Sequence, residues 1–128
     1  MTKEILKITK IVFVLQAIVG VIFGLFFVFG AEMMFEIYNW PYNAPVFSRL
    51  LGMDFIALAF LLLLSYRENE WEKVKNIVIY MIVWTVLNSI AFIVLHIIFA
   101  LPILNLTNIV QYIIFAVLYC YIFIQQRK

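Results

Sequence analysis

The residues able to do chemistry are few and lie inside apolar runs. They are Arg49, Asp54, Asn88, His96, Asn105, Thr107, Asn108 and Gln111, with Gln16 apart from the rest. Asn105, Asn108 and Gln111 recur every third residue, so a helix places them in one polar stripe. Ionisable groups at membrane depth are costly and point to function by default. Apart from Gln16, this set falls in one half of the membrane or near its middle. A polar pocket opening outward accounts for that, formed by Arg49, Asp54, Asn88, His96, Asn105, Asn108 and Gln111. Arg49 and Asp54 point about 140° apart on one helix. Asp54 is therefore expected to meet another helix at His96, Asn88 or Gln111, and Arg49 to meet Glu32 or Glu36. The plainer reading is that the amides join helices by hydrogen bonds, that Arg49 snorkels and that His96 is a packing residue. Asp54 fits this least, because a buried carboxylate must be paired or protonated.

Several chemistries have no footing. Zinc sites need several His, Cys or carboxylate ligands, and the chain has one His and one Cys, His96 and Cys120. No metal or other cofactor is expected. There is no glycine-rich phosphate loop, and no serine has a His and Asp partner by spacing. Cys120 reads as a small apolar residue. A net charge of +2 without a basic cluster argues against nucleic acid.

The elements that must hold these residues are set by hydropathy. Of 128 residues, 67% are hydrophobic and 12% charged, and the mean hydropathy is +1.11. A water-soluble domain of this size could not hide that much apolar surface. Four runs are long enough to span a bilayer, residues 11–30, 46–66, 77–100 and 102–124. They lack the alternation of a β-barrel. The fold expected is an all-α integral membrane four-helix bundle, up-down-up-down, in one transmembrane domain over residues 1–128. The run at 11–30 is too long for a signal peptide and lacks a good cleavage site, so it reads as a retained helix.

The loops agree. Residues 39–45 hold two prolines and two asparagines, and Ser48 or Asn43 could help start the helix that follows. Pro102 sits where a first-turn proline is tolerated, so the last two helices should form a tight hairpin. Tyr38, Trp40 and Tyr42 at one end, and Tyr66 and Trp71 at the other, read as interfacial anchors. Lys3, Lys7, Lys10, Arg67, Lys73, Lys75, Arg127 and Lys128 fall on one side of a four-span arrangement, leaving Arg49 alone on the other. The positive side is the cytoplasm, which puts both termini inside a multi-pass protein of the cell membrane.

Small residues mark where helices meet. Gly20 and Gly24 form a GxxxG spacing in the first span, and Ser48 and Gly52 a small-xxx-small pair in the second. Such faces let backbones approach closely, so these two helices are expected to pack through them.

Gly20 and Gly24, the Trp40-Pro41 loop, Arg49-Leu50-Leu51-Gly52, Ala57-Leu58-Ala59 and the closing Arg67 give a feature order over the first half of the chain. That order resembles the small four-helix bacterial and archaeal membrane proteins of the DoxX-like superfamily. Most members have no assigned activity, and a few are membrane subunits of quinone-linked oxidoreductases. The resemblance implies an accessory or anchoring role, with no enzyme activity of the chain by itself. The length and four spans are also similar to small multidrug resistance transporters. Those carry a glutamate in the middle of helix one, where this chain has only Gln16, which cannot cycle protons.

The function expected first is a non-enzymatic membrane component, an accessory or interaction subunit able to bind a lipid, quinone or other apolar ligand in the outward-facing pocket. Its partners would be the bilayer and either further copies of itself or another membrane protein. The alternative is a small oligomeric transporter or channel using Arg49, Asp54 and His96. A third is an intramembrane isomerase with Asp54 and His96 as acid and base.

Overall fold

The structure, a computed structural model, describes residues 3–38 and 45–128, with Pro45 and Val46 described by their backbone alone. The 39–44 stretch, with Trp40-Pro41, Tyr42 and the helix-starting Asn43, lies outside the described residues. Five helices follow in order: α1 (Lys7–Phe29), α2 (Ala31–Tyr38), α3 (Pro45–Tyr66), α4 (Trp71–Phe99) and α5 (Asn105–Arg127). Four of them are long and apolar enough to cross a membrane. Among the described residues there is no strand, only an isolated bridge between Glu4 and Glu70.

The fifth helix, α2, departs from the four expected. Gly30 ends α1, its amide donating to Phe26 O at 2.8 Å, and the helix restarts one residue later. Ala31, Met34 and Tyr38 are buried at helical spacing, while Glu32, Met33, Glu36 and Ile37 face outward. Eight residues are too few to register as a hydropathy run, but enough to bury one amphipathic stripe.

Helix boundaries differ for a related reason. The third apolar run begins at residue 77, whereas α4 begins at Trp71. Trp71, Val74, Val78 and Met81 form one buried stripe that continues below the apolar run, while Glu72, Lys73 and Asn76 of the same turns are exposed. Average hydropathy is blind to a stripe whose opposite face is charged. α1 likewise begins at Lys7. α5 begins at Asn105, and Pro102 precedes it, its carbonyl accepting the Asn105 amide at 2.9 Å.

α1 and α3 pack most closely. A Cβ at Gly24 would stand 2.9 Å from Gly52 O, and one at Gly52 only 2.6 Å from Gly24 O. No side chain fits there, so the glycines set how near the two backbones come. Ser48 Oγ donates to Phe27 O at 3.1 Å and Arg49 Nε to Val28 O at 3.2 Å. The start of α3 thus satisfies carbonyls that α1 leaves open at its end. α4 and α5 form the second close pair, and α1 reaches α5 across the middle. α3 and α4 barely touch.

The described start of the chain is clipped to the same end of the bundle as the 69–71 turn and the end of α5. Ile5 N donates to Asn69 O, Trp71 N to Lys3 O, and Leu6 N to Gln126 Oε1. Gln126 returns its amide to Glu4 O at 2.8 Å. Gln126 is buried and serves this first segment with both ends of its side chain.

Candidate functional site

All four long helices contribute to one cavity of about 100 Å³. Its polar lining is Gln16 from α1, Asn88 from α4, and Asn108, Gln111 and Tyr112 from α5. The rest is aromatic and aliphatic. An aromatic chain runs around it. Phe27 stacks on Phe55 at 5.9 Å, Phe55 meets the edge of Trp84 at 5.8 Å, Trp84 meets Tyr112 at 5.3 Å, and Tyr112 stacks on Phe92 at 5.4 Å. Stiff rings with preferred contact geometries hold the walls apart. Gly20 lies in the wall beside Gln16, where a side chain would meet Phe55 O at 3.2 Å.

The amides differ in what they already bond. Asn88 Nδ2 donates to Trp84 O, one turn back, at 2.7 Å. Thr85 and Ser89 also bond back to their own helix, at Met81 O and Thr85 O. Such bonds satisfy polar side chains locally. Asn108 Nδ2 points to Asn105 Oδ1 at 3.4 Å. Gln16 is 3% exposed, and its Oε1 has no hydrogen-bond partner among the described residues. A buried acceptor of this kind is a few-kcal/mol liability unless something donates to it, about 1–3 kcal/mol.

The structure brings together Asn88, Asn108 and Gln111 of the residues singled out in sequence, and adds Gln16, which looked isolated. Asn105 is fully buried behind Asn108, its Nδ2 unbonded among the described residues. The other three lie apart from the cavity. Arg49 is at the start of α3, its Nη2 2.8 Å from Glu32 Oε1. The Glu32 carboxyl is held below its ordinary value, chiefly by a backbone hydrogen bond at the start of α2; burial opposes this, and the Arg49 charge and hydrogen bond add smaller lowering effects. Asp54 is exposed on α3 and lines a groove against α4 that shares Leu51, Phe55 and Trp84 with the cavity wall. His96 is in the last turn of α4, half-buried, with Nδ1 unbonded among the described residues.

Arg49 and His96 are not among the residues that line the Asp54 groove. Among the described residues no three His, Cys, Asp or Glu side chains gather closely enough to hold a metal ion.

Sequence reasoning missed Gln16 because helix phase, not depth, decides which way it points. The signal was present: Val12, Phe13, Gln16, Ala17, Gly20 and Gly24 lie on the buried side of α1 at spacings of three and four. A glutamine on the glycine face looks inward.

No family model, no curated protein and no solved structure matches the chain.

Proposed function

We propose that this chain is a non-enzymatic accessory component of a cell membrane that holds the polar end of an apolar ligand, a quinone or a lipid, in its amide-lined cavity. One observation carries the reading. Gln16 presents a buried, unbonded acceptor to a cavity whose other polar groups are amides and a phenol. A ligand hydroxyl would donate to Gln16 Oε1, and a ligand carbonyl would accept from the amide groups of Asn108 or Gln111. Apolar walls around a few placed polar groups are the usual character of small-molecule sites. The volume suits one ring or a small head group and excludes a large polar substrate.

The bundle is a single transmembrane domain read as up-down-up-down, its two ends in the cytoplasm and its cavity toward the outside. The meeting of residues 3–5, 69–71 and 126–127 at one end supports this arrangement, as does the gathering there of eight of the nine Lys and Arg. Membership of the DoxX-like superfamily fits the same role.

Trp84 lines the cavity, so a quinone bound there should quench its fluorescence. Titrating a short-chain quinone into the protein in mild detergent should give saturable quenching, weakened about tenfold by Gln16→Leu. Quenching that never saturates, or that Gln16→Leu leaves unchanged, removes the basis of this function.

A further inference from the structure

Asp54 is an exposed carboxylate within an apolar helix long enough to span a membrane. It is the tenth residue of α3, about 14 Å from the first residue of that helix and about 18 Å from its last. That is close to mid-bilayer when α3 spans. It lines a lateral groove of about 400 Å³ with Leu51, Ala57, Leu61, Tyr80 and Trp84. The groove is open because α3 leans on α1 through its glycines and leaves α4 nearly untouched. Asp54 is exposed there and has no hydrogen-bond or ion-pair partner among the described residues. Tyr80, across the groove, is 53% exposed.

A carboxyl facing hydrocarbon is expensive, and such groups pair or turn toward a polar interior. This chain does not supply the cation. Eight of its nine Lys and Arg lie at residues 3–10, 67–75 and 127–128. Arg49 is about 7.5 Å along the α3 axis from Asp54 and is engaged by Glu32 and Val28 O. His96 is twelve residues beyond Trp84, about 18 Å along α4. A second copy inserted in the same direction presents these groups at the same depths, so none comes level with Asp54.

We propose that the groove between α3 and α4 docks a transmembrane helix of a different membrane protein, one carrying Lys or Arg at mid-membrane, with Asp54 as its counter-charge. The stem of that side chain lies along Leu51, Ala57 and Leu61, as long cationic side chains do on apolar surface. The Tyr80 hydroxyl is a second hydrogen-bonding group at the mouth. The proposal rests on the accessory-component reading and names the chemistry of the partner.

The test uses the full chain, donor-labelled, in phosphatidylcholine vesicles. The probes are acceptor-labelled Leu/Ala transmembrane peptides with a single central Lys or a central Leu. Energy transfer should report association about tenfold tighter for the Lys peptide. Asp54→Asn, nearly isosteric, should erase that preference while helical circular dichroism is unchanged, and Gln16→Leu should leave it intact. Asp54→Lys should reverse it toward a central-Asp peptide. Equal association of the Lys and Leu peptides overturns the proposal, as does a preference that survives Asp54→Asn. Self-association of labelled chains that Asp54→Asn abolishes also overturns it, because a second copy then covers the groove. Quinone quenching in the same vesicles separates the two readings: intact quenching with no peptide preference sinks only the docking site, and the reverse sinks only the ligand cavity.

Discussion

α3 has two flanks, and they are built on opposite terms. Toward α1 it offers Gly52 and Ser48, and meets Gly24 and Phe27 O so closely that no added atom fits. Toward α4 it offers Leu51, Asp54 and Leu61, and encloses open space. In lipid no hydrophobic force draws helices together, because the tails are as apolar as leucine. Close packing and hydrogen bonds must do it. The first flank has both; the second rests on the edge contact of Phe55 with Trp84 at 5.8 Å. The closed flank makes the fold, and the open flank is where something else can enter.

That contrast breaks first at the glycines. Gly52→Val should be the most damaging single change, costing about 3 kcal/mol or more, because its Cβ meets the fixed Gly24 O and Phe27 Cβ as well as the Val28 Cγ2 methyl. Thermal unfolding in detergent checks this. If Gly52→Val melts like the native protein, α1 and α3 are not held by backbone proximity. Next comes Gln126→Leu, which removes two hydrogen bonds to the described start of the chain. Both bonds are only partly buried, so the net loss is about 0.5–1.5 kcal/mol for each. Faster amide exchange at residues 4–6 would be its local signature.

Asp54→Leu sharpens the comparison from the other side. Nothing among the described residues bonds Asp54, so the isolated chain should keep or slightly gain stability, within about 1 kcal/mol. A large loss would mean that the open flank belongs to the fold after all. The paired expectation for the cavity is that Gln16→Leu weakens quinone binding without destabilising the apo protein, since it deletes an unsatisfied acceptor.

The spans were legible because lipid imposes length and composition directly on sequence. The meeting of small residues was legible as spacing: Gly20, Gly24, Ser48 and Gly52 announce a close approach, and α1 and α3 make theirs there. Partnering was not legible. Asp54 and Gln16 are single polar residues in apolar helices, and hydropathy treats them alike. One points into the bundle and the other out, a difference of helix phase relative to neighbours that only tertiary packing fixes. α2 escaped notice for its shortness, and the first turns of α4 because their charged face masks a buried one. The role of Gln126 exists only once the described start of the chain meets the end of α5.

The smallest effect tests the end of the closed flank. Arg49 reaches Glu32 at 2.8 Å, but both side chains are about half exposed or more, and exposed pairs contribute little. The sign is nevertheless fixed. The Glu32 carboxyl is lowered in the folded chain, so it holds fewer protons there than when unfolded. Its contribution is therefore fully present above the ordinary carboxylate value and is lost as pH falls through the lowered folded value. Unfolding curves of the native chain and Glu32→Gln should converge on acidification, the native chain being the slightly more stable at neutral pH. Added salt should narrow the neutral-pH gap. If the gap instead widens toward low pH, the ion pair is not what ties α2 to the start of α3, and the Arg49 bond to Val28 O must carry that corner without it.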